Sequence, residues 1–209
     1  MKVKEMPIYT LIFVLLIKMT EGQYGHSGTE SLYGLLVDKP IVFKPDSSIN
    51  KCLFLEDYES YFLKFFPNKK RQRTHDFIRS SPVMIFSDQL KEEYLIAYRY
   101  EGGNEYAFDC FEIGYFEDDK KLNKKLAVIS KETIFMTESG LGLGSTLEEV
   151  TNTKGKNFKV KRKGNDMTLT YYLSDKHAFV KRYYMLAYFM EFRLRENKVR
   201  QITFGFEYP

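Results

Sequence analysis

Histidine is the first residue type in this chain with an obvious chemical use, because its imidazole exchanges protons near neutral pH. The chain has three histidines: His26, His75 and His177. Asp175 lies two residues before His177, so a general base with an orienting carboxylate is one interpretation. A hydrolase of this kind also needs a nucleophile, and the G-x-S-x-G motif is absent. The sequence therefore favours a solvated loop histidine beside an aspartate.

Paired carboxylates would be a second source of acid–base chemistry. The chain contains Asp118-Asp119 and Glu148-Glu149. Adjacent residues do not face each other on a helix or a strand, so the two carboxylates of a pair do not converge on one reacting atom. We interpret the pairs as a charged turn and the first turn of a helix.

Three closely spaced glycines, Gly140, Gly142 and Gly144, resemble a phosphate-binding loop at first sight. A dinucleotide loop has the pattern G-x-G-x-x-G, and Ser145 or Leu147 stands where its last glycine belongs. The Gly-Lys-Ser/Thr sequence of a nucleotide-binding P-loop is also absent. The glycines are better explained as a bend that leads into a helix, and the sequence predicts no cofactor and no metal site.

Two basic segments give the strongest sign of an interaction. The first is a set of four cations, Lys69, Lys70, Arg71 and Arg73. The second follows a predicted helix, and its candidate partner surface consists of Lys156, Lys159, Lys161, Arg162 and Lys163, with Lys154 just before them. Such a surface can bind an anionic glycolipid, an acidic glycan or an envelope protein. The alternative is a solvated loop that only keeps the protein soluble.

The two cysteines, Cys52 and Cys110, leave two interpretations open. In an oxidising compartment an even number of cysteines suggests one disulfide. Free cysteines, however, are often buried in cores as small apolar residues. Their spacing fits neither a zinc site nor a C-x-x-C redox motif.

The N-terminus has the layout of a secretory signal peptide. Lys2 and Lys4 form a positive start, and residues 8–17 form a short apolar core. Small residues at Thr20 and Gly22 then fit a cleavage before Gln23. We expect residues 1–22 to be removed and the protein to be exported to the periplasm or the cell exterior, where nucleic acid is not an expected partner. No later apolar stretch reaches the about 20 residues of a membrane span.

A helix is predicted to begin near Ser145, because Glu148 three residues later completes a capping box, and to end at Gly155. The stretch 140–155, with Gly-Ser-Thr-x-Glu-Glu-Val followed by a glycine, resembles the helix start of small exported bacterial domains. These are the BamE-like outer-membrane assembly lipoproteins and the tandem-repeat β-lactamase inhibitor proteins. The resemblance implies an α+β fold and a binding module rather than an enzyme.

The remaining elements follow from apolar spacing. Aromatic residues three and four apart from Phe54 to Phe65 predict a helix that Pro67 ends. Period-two alternation predicts strands, of which the last two form the clearest hairpin. The predicted strands cover residues 41–43, 84–86, 94–100, 106–116, 126–135, 167–173, 188–194 and 202–208.

Length and composition limit the class of protein. The chain has 209 residues, a net charge of +4, 44% apolar residues and 29% charged residues, which is typical of a globular protein and excludes disorder. We expect an α+β fold in which an antiparallel sheet packs with two main helices, and residues 53–116 and 145–208 could be tandem helix-plus-three-strand repeats. The expected organisation is a signal peptide (1–22), an N-terminal segment (23–50) and two halves (51–136 and 137–209), with a single domain made of both halves as the alternative.

These observations together favour an exported, non-enzymatic binding or envelope-associated module. An envelope-polymer hydrolase of unfamiliar type is the alternative. A concave site with polar groups around His177 or His75 would indicate the enzyme, and a broad sheet face or basic ridge would indicate the binding module.

Overall fold

The computed structural model describes residues 41–57, 83–99, 107–122 and 124–207. All of them belong to one compact unit, Pro40–Pro209. The predicted signal peptide, the first basic segment, His26 and His75 lie outside the described residues, as does the predicted first helix beyond residue 57. No helix in the described ranges is long and apolar enough to cross a membrane.

The described residues form ten strands and two short helices. The strands are β1 (Ser48–Ile49), β2 (Leu53–Phe54), β3 (Val83–Ser87), β4 (Glu93–Tyr98), β5 (Cys110–Tyr115), β6 (Val128–Ile129), β7 (Lys159–Lys163), β8 (Asp166–Ser174), β9 (Ala187–Arg195) and β10 (Lys198–Phe206). The helices are α1 (Leu147–Lys154) and α2 (Ala178–Arg182), and Lys124–Leu126 forms a single 3-10 turn.

Eight strands make one sheet in the order β6-β3-β4-β5-β10-β9-β8-β7, and β1 and β2 form a separate ribbon. Every neighbour in the large sheet is antiparallel except β3 and β6, which run parallel. The antiparallel pairing of β5 with β10 joins the two halves of the chain in one continuous sheet.

The predicted α+β class is therefore wrong. Within the described residues the chain is mostly β, the sheet is mixed, and the helices have only eight and five residues instead of forming two main packing elements. The sheet also extends beyond the predicted groups of three strands, since β6 and β7 form its two edges. The core of this fold consists of side chains that are buried against a wide sheet rather than between long helices.

The two faces of the large sheet differ in chemistry. Alternate side chains of β8, β9 and β10, such as Leu169, Phe192 and Phe204, are completely buried on the face that we call the core face. On the opposite face, β3, β4 and β5 bury a smaller cluster that includes Ile85, Ile96 and Cys110. The rest of that opposite face, on β7, β8 and β9, carries mostly polar and charged side chains. We call its polar part, made by alternate residues of 159–163, 166–170 and 191–195, the polar face.

The last hairpin confirms the prediction from alternation. Phe192 lies opposite Ile202 with both side chains buried, whereas Arg193 lies on the other face. The turn has two residues, Glu196 and Asn197, with φ of 52° and 60°. Positive φ at both positions is the geometry of a type I′ turn, whose twist matches that of the flanking strands.

Helix α1 begins one residue later than predicted. Its N-cap is Thr146, whose hydroxyl accepts from the Glu149 backbone N–H while the Glu149 carboxylate accepts from the Thr146 backbone N–H at 2.7 Å. Gly155 ends the helix as predicted, with φ of 83°. A Cβ at Gly155 would lie 2.2 Å from the Ile41 carbonyl oxygen, so close packing also requires glycine there.

Candidate functional site

The predicted basic loop is mostly a strand. Lys159–Lys163 forms β7, an exposed edge strand whose partner is β8. Lys159, Lys161 and Lys163 pair with Thr170, Thr168 and Asp166, so these three lysines share the polar face. Arg162 and Val160 alternate onto the other side of the strand, and Lys156 is exposed just before it. Charged side chains also protect an edge strand from pairing with other chains, which is the structural explanation for this run.

The pairing of β8 with β9 extends the rows of polar side chains from β7 and β8 to β9. Thr170, Thr168 and Asp166 lie opposite Glu191, Arg193 and Arg195. The polar face therefore holds five cations and two carboxylates, with two threonines between the cationic strands. Its residues are Lys159, Lys161, Lys163, Asp166, Thr168, Thr170, Glu191, Arg193 and Arg195.

Ion pairs hold the arginines of this face in place. Asp166 accepts from Arg195 Nε at 2.9 Å and from Arg193 Nε at 2.8 Å. Hydrogen bonds from Arg195 and Arg193 lower the pKa of Asp166 below its usual value, so this carboxylate stays ionised. The side chains of Arg193 and Arg195 remain 43% and 40% exposed, so both can still contact a ligand.

A polar cleft opens beside these arginines, between the β5–β6 connection and strands β9 and β10. It encloses about 240 Å³. The residues that line it are Tyr94, Asp118, Asp119, Lys121, Arg193, Arg200 and Gln201. Three strands and one turn contribute side chains to this cleft, so it exists only when the middle of the sheet is paired.

A hydrogen-bonded network on Glu112 supports the floor of the cleft. Its carboxylate accepts from the Tyr94 hydroxyl at 2.8 Å, the Tyr98 hydroxyl at 2.9 Å and Gln201 Nε2 at 2.7 Å. Burial raises the pKa of Glu112, and the three hydrogen bonds oppose that shift without cancelling it. The Tyr94 ring occupies the space above Gly114, where a Cβ would lie 2.4 Å from its hydroxyl oxygen.

Charged side chains that are paired with each other form one wall of the cleft. Arg200 lies at a β-bulge, because the register of β10 against β9 shifts between Val199 and Gln201. Its guanidinium donates to Asp118 at 2.7 Å and lies 4.2 Å from the Tyr115 ring centre. Burial alone would raise the pKa of Asp118, but bonds from Arg200 and Arg195 lower it overall. Bulges redirect side chains in this way next to functional sites.

The candidate catalytic histidine serves as a helix cap. His177 is exposed, and its Nδ1 accepts from the Phe179 backbone N–H at 3.2 Å at the start of α2. Neither His177 nor Asp175 lines the polar cleft. Their positions agree with the interpretation of a solvated loop histidine.

Both cysteines are free thiols in the structure. Cys52 is half-buried in the β1–β2 turn and packs against the cluster on the core face, whereas Cys110 is buried in the cluster on the opposite face. The sheet lies between these clusters, so a disulfide would require one thiol to cross it. This placement favours two separate thiols, and the disulfide stays a prediction for the exported chain.

A second, more open groove of about 430 Å³ lies along the loop after β6 and is lined by Asn50, Lys51, Glu132, Ile134 and residues 136–140. The Asn50 amide donates to Glu132 Oε2 at 2.9 Å, and its carbonyl oxygen accepts from the Met136 backbone N–H at 2.7 Å. These bonds tie two loops together, and they give the groove a structural explanation.

Sequence reasoning missed the residues of the cleft. The sequence predicts only a charged turn at residues 118–121, Glu112 and Tyr94 fall within predicted strands, and Gln201 lies just before one. One signal was available, because Glu112 is a lone carboxylate within an aromatic strand. Its partners Tyr94 and Gln201 lie 18 and 89 positions away, and no local pattern links such distant positions.

No family model, no curated protein and no solved structure matches the chain. The resemblance of residues 140–155 to the exported bacterial domains stays a prediction.

Proposed function

We propose that this protein is a non-enzymatic binding module that holds an acidic glycan across its polar face. The observation that carries this proposal is the arrangement of cations in rows on β7 and β9, with Thr168 and Thr170 between them on β8. Two cationic strands on one side of a rigid sheet form a fixed charge array, which a solvated loop does not provide.

The spacing of the array suits an extended polymer. Alternate residues of a strand repeat about every 6.8 Å, and strands two apart are separated by about 9.6 Å. Lys159, Lys161 and Lys163 therefore follow a line along β7, and Arg193 and Arg195 form a second line on β9, beside Lys161 and Lys163. A chain with regularly spaced negative groups can contact several of these cations at once, and each weak contact adds to the affinity.

The mixture of signs favours a glycan over a nucleic acid. Glu191 and Asp166 lie among the cations, and Asp118 and Asp119 line the adjacent cleft. Carboxylates repel a continuous phosphate backbone, but they accept hydrogen bonds from the hydroxyl groups of sugars. Export, which the N-terminal sequence predicts, would bring the protein to a compartment that contains acidic glycans.

The geometry gives less support to the hydrolase. His177 caps a helix away from the cleft, and Asp118 is held by two arginines, which disfavours its use as a general acid. A binding role needs no nucleophile, and the charged groups of the polar face and the cleft are sufficient for it.

Affinity measurements on matched variants test the proposal. We would titrate the full chain with polygalacturonate and compare the triple variant Lys159→Gln, Lys161→Gln and Lys163→Gln with a control in which Lys51, Lys91 and Lys131 become Gln. All six lysines are exposed, and the two variants lose the same charge.

We expect the β7 variant to lose about tenfold or more in affinity and the control to lose little, since three exposed charge contacts are worth about 1.5 kcal/mol or more together. Raising the salt concentration should weaken wild-type binding. Equal losses in the two variants, or equally strong binding of single-stranded DNA, would overturn the proposal.

A further inference from the structure

We propose that the polar cleft is the specificity subsite of this glycan and binds one sugar-acid unit, a ring that carries a carboxylate and several hydroxyls. This inference rests on the proposed function, and it adds selective recognition of one sugar unit to the binding of the glycan's negative charges. The cleft adjoins the polar face through Arg193, which belongs to both.

Three groups in the cleft are available to a ligand. Within the described residues, the Lys121 ammonium has no acceptor, and Arg193 donates to Asp166 only through Nε and one terminal nitrogen. Asp119 accepts from the Lys121 backbone N–H at 3.0 Å through Oδ1, and among the same residues its Oδ2 has no donor. The cleft thus offers two cationic donors and one carboxylate acceptor.

The other groups of the cleft are already fixed. Asp118 is held by Arg195 and Arg200, and the Gln201 amide bridges Glu112 and Tyr94. Groups whose positions are set before binding lose little freedom when a ligand arrives, which favours selective recognition.

The available chemistry defines the ligand class. A carboxylate can accept from Lys121 and Arg193, and hydroxyls can donate to Asp119. A neutral sugar would leave the Lys121 ammonium without a negatively charged partner, and a simple anion would leave the Asp119 carboxylate without a hydroxyl donor. The volume of about 240 Å³ lies below the roughly 300 Å³ at which sites for drug-sized ligands begin, so one sugar ring is the appropriate size.

The test uses a short galacturonate oligomer and a neutral galactose oligomer of equal length. We would measure affinities for the full-length wild type and for Lys121→Gln, Asp119→Asn and the control Lys120→Gln. Lys120 is the exposed neighbour of Lys121 and does not line the cleft, so it controls for the loss of one charge.

We expect Lys121→Gln and Asp119→Asn each to weaken binding of the acidic oligomer about tenfold, as the loss of a charged hydrogen bond implies, and Lys120→Gln to change it little. The neutral oligomer should bind at least about tenfold more weakly than the acidic one. Equal effects at Lys120 and Lys121, or no preference for the acidic oligomer, would overturn the inference. If polygalacturonate binding still depends on the β7 lysines in that case, the cleft assignment fails and the proposed function stands.

Discussion

Lys154 and Asp46 form a buried ion pair, with 2.8 Å between Lys154 Nζ and Asp46 Oδ2 and side chains only 1% and 4% exposed. The ammonium also donates to the Lys44 carbonyl at 2.8 Å and lies over the Phe43 ring. The end of α1 is thereby fixed to the chain segment that precedes β1. Lys154 belongs to the same basic run as the β7 lysines, yet it stabilises the core rather than the polar face.

Replacement of Lys154 should therefore destabilise the fold. Lys154→Met leaves the Asp46 carboxylate buried without its cation, and we expect a loss of about 3–5 kcal/mol in the free energy of unfolding. Urea unfolding measures this loss. Lys156→Met is the matched control, because Lys156 is exposed and should change stability by less than about 0.5 kcal/mol. Adding Asp46→Asn should recover part of the loss, and a fully stable Lys154→Met would show that the pair contributes nothing.

Glu93 should give the protein a pH-dependent stability. Burial is the main reason why the pKa of Glu93 rises from 4.5 to about 6 in the folded chain, and the carboxylate accepts from the Phe135 backbone N–H at 2.9 Å. The folded chain binds this proton more tightly than the unfolded chain does. Its stabilising effect is therefore complete below about pH 4.5 and is lost as the pH rises through about 6.

Comparison with Glu93→Gln isolates this contribution. Between about pH 4.5 and about pH 7, the wild type should lose about 2 kcal/mol relative to the variant, since 1.36 kcal/mol corresponds to each unit of pKa. Urea unfolding of both proteins at the two pH values gives the difference. A difference that does not change with pH would contradict the assignment.

Gly114 should be required by the ring of Tyr94. A Cβ at this position would meet the Tyr94 hydroxyl oxygen at 2.4 Å and its ring carbon Cζ at 2.5 Å. We expect Gly114→Ala to cost about 1–3 kcal/mol through overpacking. In a Tyr94→Ala background the same change should cost nothing, and thermal unfolding of the four proteins completes the cycle. Equal costs in both backgrounds would show that the Tyr94 ring is not the obstacle.

The two faces of β9 should respond differently to truncation. Phe192 is completely buried on the core face, so Phe192→Ala should cost about 3–5 kcal/mol. Arg193 is 43% exposed, so Arg193→Ala should cost less than about 1 kcal/mol despite its bond to Asp166. Denaturant unfolding compares the two variants, and equal losses would mean that the register of the strand is incorrect.

The sequence predicted the strands well wherever one face is apolar. Alternation located β8, β9 and β10 because period-two burial leaves a direct pattern. Strand β7 has no such pattern, since all five of its residues are exposed. The capping residues and Gly155 predict the bounds of α1 to within about two residues, but an eight-residue helix is too short to be a main packing element of an α+β fold.

The cleft depends on information that no local pattern contains. The cleft brings together Tyr94, Lys121 and Gln201 because strands β4, β5 and β10 pair side by side in one register. The β-bulge in β10 lets Arg200 contact Asp118. Strand order and bulges are set by packing of the whole sheet. The sequence did indicate the basic run, and the structure shows which of its residues share a face.

Mapping of amide chemical shifts during titration of the labelled full chain with a galacturonate oligomer shows directly where the glycan binds. We expect saturable shifts in β7, β8 and β9 and in residues 118–121, with little change around Asn50, Lys51 and Glu132, which line the other groove. Shifts that cluster in that second groove, or a spectrum that does not change, would contradict the assignment of the polar face as the binding surface.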